Sequence, residues 1–192
     1  MRHPTLSLCA LSLCALAALA GCSTSERFYT VPEAPAEALA PQRIRYGTVL
    51  LTEVSLPDYA GRQQIAARGE DGAVAAQRGV LWADLPQRGM TQELARDLSR
   101  ITGAQVAAEP WPFNSRAQVR VEVRVEQMLD EGDGSFRLSG QYFVAPEESD
   151  GGRSGLFDLR APITGEGPAA IAAARSAVVA QLAQRLAGDG LR

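Results

Sequence analysis

Between Gln118 and Glu126 the chain alternates without a break. Val119, Val121, Val123 and Val125 are separated by Arg120, Glu122, Arg124 and Glu126. Successive side chains of a strand point to opposite faces, so this octet places four β-branched residues on one side and four charges on the other. A helix would scatter both sets around its circumference. The segment therefore demands a sheet with one face buried and one face in water, and a second layer of structure to cover the valines. The chain downstream repeats the pattern. After a turn at Asp130 to Gly134, residues Ser135 to Ala145 place Phe136, Leu138, Tyr142 and Val144 on one face. After a second polar turn at Glu147 to Gly152, residues Leu156 to Ile163 alternate Phe157, Leu159, Ala161 and Ile163. Three successive strands joined by polar turns make an antiparallel meander.

Two segments have the period needed for the covering layer. Met90, Leu94, Leu98 and Ile101 recur at helical spacing behind Pro86-Gln87-Arg88-Gly89, with Gly103 where a C-terminal capping glycine belongs. On this helix Glu93 and Asp97 are expected on the solvent side with Arg96 and Arg100. A closing helix follows Gly167-Pro168, where proline is tolerated in the first turn. It carries Ile171, Ala174, Val178, Leu182 and Leu186 on its apolar face and ends at Gly188 and Gly190. Upstream, Tyr46 to Val54 reads as a buried strand broken by the Leu56-Pro57-Asp58-Tyr59 turn. Arg62 to Arg68 reads as another, turning at Glu70-Asp71-Gly72 into Ala73 to Ala76, and Gln105 to Ala108 as a short one. Phe28 to Val31 is β-prone, and Pro32 to Pro41 reads as an extended linker. The expected fold class is α/β. It is a single-domain α/β sandwich whose mixed sheet of six or seven strands contains the meander and packs about two helices.

The N-terminus has a different character. Arg2 and His3 precede an apolar stretch from Leu6 to Leu19 of about 14 residues, shorter than the roughly 20 a membrane-spanning helix needs. It ends in Leu19-Ala20-Gly21-Cys22. This is the anatomy of a lipoprotein signal, cut before a cysteine whose thiol takes a diacylglycerol; the alternative is an ordinary secretory signal with a chance cysteine. The expected division is signal peptide 1–21, lipidated N-terminus and tether 22–42, and folded domain 43–192. Membrane attachment would run through Cys22, because no second apolar stretch is long enough to span.

Removing residues 1–21 also removes Cys9, Cys14 and the single histidine, His3; lysine is absent from the chain and all 19 basic residues are arginines. Such a chain cannot build a Ser-His-Asp triad, a cysteine nucleophile, a Schiff base or an ordinary zinc site. Carboxylates, hydroxyls and guanidiniums remain. No metal or cofactor is expected, and a net charge of −3 without an arginine-rich run argues against nucleic acid. Asp130-Glu131-Gly132-Asp133-Gly134 lacks the ligand spacing and closing glutamate of a calcium loop and reads as a turn, as does Asp150-Gly151-Gly152. The Arg120, Glu122, Arg124, Glu126 row reads as a solvated face or an interface lattice. Trp111, between two prolines, is a core anchor or an exposed contact. No spacing among the carboxylates favours a glycosidase-type pair.

Three ordered segments following the Cys22-Ser23 junction resemble a known family. These are Phe28-Tyr29-Thr30-Val31, then Leu56-Pro57-Asp58-Tyr59 with Arg62-Gln63-Gln64-Ile65-Ala66-Ala67-Arg68, then Trp82-Ala83-Asp84-Leu85 before the helix carrying Leu94 and Leu98. Together they resemble the ABC-type transport auxiliary lipoproteins, the family of paraquat-inducible protein C. Ala60 stands where that family has leucine, and Asp84-Leu85 replaces a Glu-Pro-Leu run, with Pro86 displaced by one position. The resemblance implies a non-catalytic lipoprotein at the outer membrane of a Gram-negative bacterium, facing the periplasm. Its implied partners are the Mce-domain protein of an ABC system that moves lipids or other hydrophobic molecules between membranes, and further copies of itself. Candidate interface residues are Arg120, Glu122, Arg124, Glu126, Trp82 and Trp111, with a place in the core as the other reading of Trp82. The competing classes are a lipid-anchored periplasmic hydrolase using carboxylates and an envelope assembly factor.

Overall fold

The computed structural model describes residues 25–149 and 151–192, so the expected signal peptide, Cys22, Ser23 and Asp150 lie outside the described residues. Eight strands and two helices follow in chain order. They are β1 (Arg27–Tyr29), β2 (Thr48–Leu51), β3 (Gln64–Arg68), β4 (Val74–Trp82), α1 (Pro86–Thr102), β5 (Gln105–Ala108), β6 (Val119–Asp130), β7 (Ser135–Pro146), β8 (Arg153–Pro162) and α2 (Gly167–Arg185). All strands belong to one mixed sheet. The α/β class, the meander and the two helices stand as expected, with one strand more than the sequence pattern resolved.

The meander is the spine. β6 and β7 pair antiparallel from Val119↔Pro146 to Asp130↔Phe136, and β7 pairs antiparallel with β8. Along its other edge β6 takes three partners in turn. The start pairs in parallel with β2, Ser55 bridges Arg124, and the end meets β3 through Ala67↔Asp130. The sheet therefore forks, with β5 beyond β2 and with β4 and β1 beyond β3. Val119, Val121 and Val123 are fully buried, and Val125 nearly so. They pack in one core with Phe136, Leu138, Met90, Leu94, Leu98, Val178 and Leu182. Strand β6 runs beyond Glu126 because a bulge between Val125 and Gln127 shifts the register and returns Met128 and Leu129 to buried positions. Strand β4 likewise continues past Ala76 to Trp82, where β1 adds to it in parallel through Arg27↔Val80 and Tyr29↔Trp82.

Helix α1 ends as its sequence reads. Gly103 adopts φ 68°, a left-handed conformation that costs glycine least, and its N–H bonds the carbonyl of Ser99. Helix α2 is buried around much of its circumference, including Ala170, Ala172, Ala174, Val179, Ala180 and Ala183. Its small side chains let it sit between α1 and the β7–β8 part of the sheet. Two expectations are corrected. Pro32 to Pro41 is not a free linker: Ala34 and Leu39 are buried, and Ala36–Ala38 forms a single 3-10 turn. The stretch is strapped down by Arg100 to Glu33 at 2.7 Å, by the Gln42 N–H to the Ile101 carbonyl at 2.8 Å, and by the Gln184 amide to the Ala40 carbonyl at 3.0 Å. That strap and α2 cover the side of α1 expected to face water, so Glu93 and Asp97 are buried at 9% and 2% exposure.

Candidate functional site

Where β1, the end of β4 and the two helices meet, a cleft of about 330 Å³ opens, lined among others by Tyr29, Trp82, Asp84, Arg96 and Gln92. Its floor is Arg175. This is the one charged residue in the stretch from Gly167 to Arg185 before the helix's last residue, and its guanidinium is 2% exposed. It lies 4.7 Å over the Trp82 ring and donates to Glu93 Oε1 at 3.1 Å. The contact combines cation–π attraction with an ion pair in a low-dielectric setting. Burial pushes the Arg175 guanidinium down from its ordinary value, while Glu93 and Asp84 oppose that shift. Burial pushes the Glu93 carboxyl up, against the pull of Arg175 and Arg96. Asp84, at the cleft mouth, is held below the carboxylate range by Arg88, which donates to it at 2.6 Å and 3.0 Å.

The cleft's polar groups are incompletely paired. Glu93 Oε2, Arg175 Nε and Arg96 Nε are buried without a protein hydrogen-bond partner, and so is Asp97 Oδ1 on the next turn of α1. Such groups are hydrogen-bonded by water or a ligand as a rule. A perturbed carboxylate in a cleft also marks acid–base sites. Here each lining carboxylate already faces its own guanidinium, and the arrangement clamps α1, α2 and β4 together. Among the described residues no group of three or more His, Cys, Asp or Glu is placed to hold a metal ion.

The residues singled out from sequence fall in three places. Arg120, Arg124 and Glu126 are exposed and Glu122 half-buried on the open face of β6. Arg124 donates to Glu122 at 2.6 Å and lies 4.7 Å over the Phe143 ring, while Arg120 approaches Glu147 at 3.9 Å. Trp82 is 3% exposed and belongs to the core beneath Arg175, so of its two readings the structure takes the core one and not the surface contact. Trp111 is half-buried in the loop after β5, packed edge-on against Phe113 at 4.9 Å, with its indole donating to the Ser115 carbonyl at 2.6 Å. The structure does not bring these three places together. The turn at Asp130 to Gly134 carries an unforeseen arginine cluster. Glu131, 8% exposed at its side chain, receives Arg68 at 2.5 Å and Arg137 at 3.3 Å, with Arg160 at 3.8 Å. The Arg175–Glu93 pair was also missed, although a lone arginine inside an alanine- and valine-rich helix was its visible sign.

Comparison with known proteins places these features in context. A family model described as "ABC-type transport auxiliary lipoprotein component" matches residues 29–187. A crystal structure of an uncharacterized protein superposes with a TM-score of 0.69 at 18% identity, covering 85% of this chain and 97% of the other. Protein XCC0632 from Xanthomonas campestris, of the DUF330 family, superposes with a TM-score of 0.63 at 16% identity, covering 84% and 93%. These likenesses show the fold. No curated protein matches the sequence significantly.

Proposed function

The chain belongs to the family of ABC-type transport auxiliary lipoprotein components, and from that premise we propose that it is a non-catalytic outer-membrane lipoprotein subunit of an Mce-type ABC system. In this reading Cys22 carries the lipid, the folded domain faces the periplasm, and it docks the Mce-domain component that conducts lipids or other hydrophobic molecules between membranes. The family match, which runs from Tyr29 at the end of β1 to just past α2, carries the reading. The lipobox at Leu19-Ala20-Gly21-Cys22 and the Ser23 that follows it support attachment and outer-membrane sorting. The open face of β6 supports docking and self-association: its alternating Arg and Glu can meet a second copy or a partner in a complementary register, where charges set specificity more than affinity.

Co-purification tests the proposal. The tagged mature protein should retain an Mce-domain protein encoded beside it, and light scattering should show a species larger than a monomer at micromolar concentration. Changing Arg120→Glu and Arg124→Glu together should reduce retention if the β6 face is the contact. A strictly monomeric domain that ignores the Mce protein sinks the reading. Retention unchanged in the charge-reversed variant moves the contact away from β6.

A further inference from the structure

Because β1 is a strand of the sheet, the distance from the lipid site to the folded domain is far shorter than a tether of 22–42 would allow. Arg27 is already paired with Val80, and Glu26 shares a cleft with Ala76, Gln77, Arg78 and Gly79 of β4. Four peptide steps separate Cys22 from Glu26, a reach of about 14 Å when fully extended.

The direction of entry is also set. β1 runs parallel to β4, so the chain preceding it comes from the side where β4 begins, at the β3–β4 turn closed by the Gly69 N–H on the Ala73 carbonyl at 2.8 Å. β3 meets the last residue of β6, and Arg68 pairs with Glu131, so the β6–β7 turn lies at this same end. Ile163 N–H donates to the Gly134 carbonyl, which brings the β8–α2 connection there too. The opposite end holds the starts of β2, β5 and β6. It also holds the C-terminal residues, where the Arg45 N–H bonds the Leu191 carbonyl. Twelve residues of β6 separate the two ends, about 40 Å at strand rise.

We infer that the domain stands end-on upon a lipid surface, with the β3–β4 turn, the β6–β7 turn and the β8–α2 connection against the headgroups and the Arg45 end projecting away. This rests on the reading of Cys22 as the lipid anchor. The near end exposes Glu70, Asp71 and Glu166, so the surface it fits is zwitterionic; an anionic bilayer repels these carboxylates within a Debye length, about 10 Å at 0.1 M salt. The end presented to a periplasmic partner is then the one bearing Arg43, Arg45 and Arg153.

The mature chain has a single thiol, at Cys22, which permits a direct test. The mature protein is coupled through that thiol to a maleimide lipid in phosphatidylcholine vesicles. A fluorophore is placed through an azide side chain at exposed Asp71 or at exposed Arg43, with circular dichroism confirming the fold of each. Nitroxide-headgroup lipids should quench the probe at position 71 several-fold more than that at 43, and the contrast should shrink when phosphatidylglycerol is added. Equal quenching, which a domain lying on its β1 side would give, overturns the inference, as does stronger quenching at 43. Chemical coupling imposes the anchor, so this result is independent of whether cells acylate Cys22; mass spectrometry of membrane-purified protein decides that separately.

Discussion

The guanidinium of Arg175 and the carboxylate of Glu93, on different helices and 82 residues apart in the chain, meet at 3.1 Å with almost no access to water. Removing one partner of a buried pair strands the other charge, at a cost of about 3–5 kcal/mol. Glu93→Ala should therefore lower the urea midpoint strongly, while Glu93→Leu with Arg175→Met should recover much of the loss, because two apolar groups need no partner.

Arg175→Met alone should show an inverted pH dependence. Burial already raises the Glu93 carboxyl, and losing Arg175 removes the main opposing pull. An acid whose folded pKa is raised is most compatible with the fold below its unfolded value, and the cost grows as pH rises from the unfolded value and levels off above the folded one. The deficit of this variant against the native protein should be smallest below the unfolded value of about 4.5 and should widen as pH rises above it. A deficit that widens on acidification would refute the account.

Glu131 behaves in the opposite sense. Burial raises its carboxyl, but hydrogen bonds from Arg68 and Arg137 outweigh that and hold it below the ordinary range. A depressed acid contributes stability above its unfolded value of about 4.5 and loses it as pH falls through the folded value. Glu131→Gln should cost about 1–2 kcal/mol at pH 7, allowing for the partial exposure of its arginine partners. The two unfolding curves should converge toward pH 3.

Gly140 and Gly72 separate close approach from backbone strain. A methyl group at Gly140 would run into the Arg124 carbonyl oxygen and sit 2.9 Å from the Val125 Cα, beside the β6 bulge. Gly72 has open space but φ 82°. Gly140→Ala should destabilise by about 3 kcal/mol or more through overpacking on rigid backbone, against about 1 kcal/mol for Gly72→Ala. Thermal melts of both variants check the order.

For the anchor, Cys22→Ala should abolish the diacylglycerol mass increment and leave a chain that is uncleaved or released, and a processed, unlipidated form should leave the membrane fraction. Full retention in the outer-membrane fraction after a high-salt wash would require a second attachment. Among the described residues no helix is long and apolar enough to cross a membrane.

Legibility followed periodicity. The valine–charge alternation of β6, the apolar faces of β7 and β8, and the Gly103 cap were readable because local geometry imposes them. What escaped depends on neighbours remote in sequence. Glu93 and Asp97 lie off the Met90–Leu94–Leu98 stripe, so periodicity assigns them to water; only the strap after β1 and the approach of α2 bury them. Pro32 to Pro41 has a linker's composition, and nothing local announces that Gln42 and Gln184 bind it down. The ends of β4 and β6 were cut short because a positive-φ glycine at Gly79 and the bulge after Val125 interrupt strict alternation without ending the strand.

The parallel pairing of β1 with β4 has a mechanical consequence. Were the chain held at Cys22, a pull from that side would run along the axis of β1, so its hydrogen bonds to β4 would share the load in shear and would not open one after another. Behind β1, the bonds from Gln42 to Ile101 and to Gln184 form a second stop before tension reaches β2. Tension entering at the N-terminus would therefore load this ladder and the strap behind it before it reached the rest of the sheet.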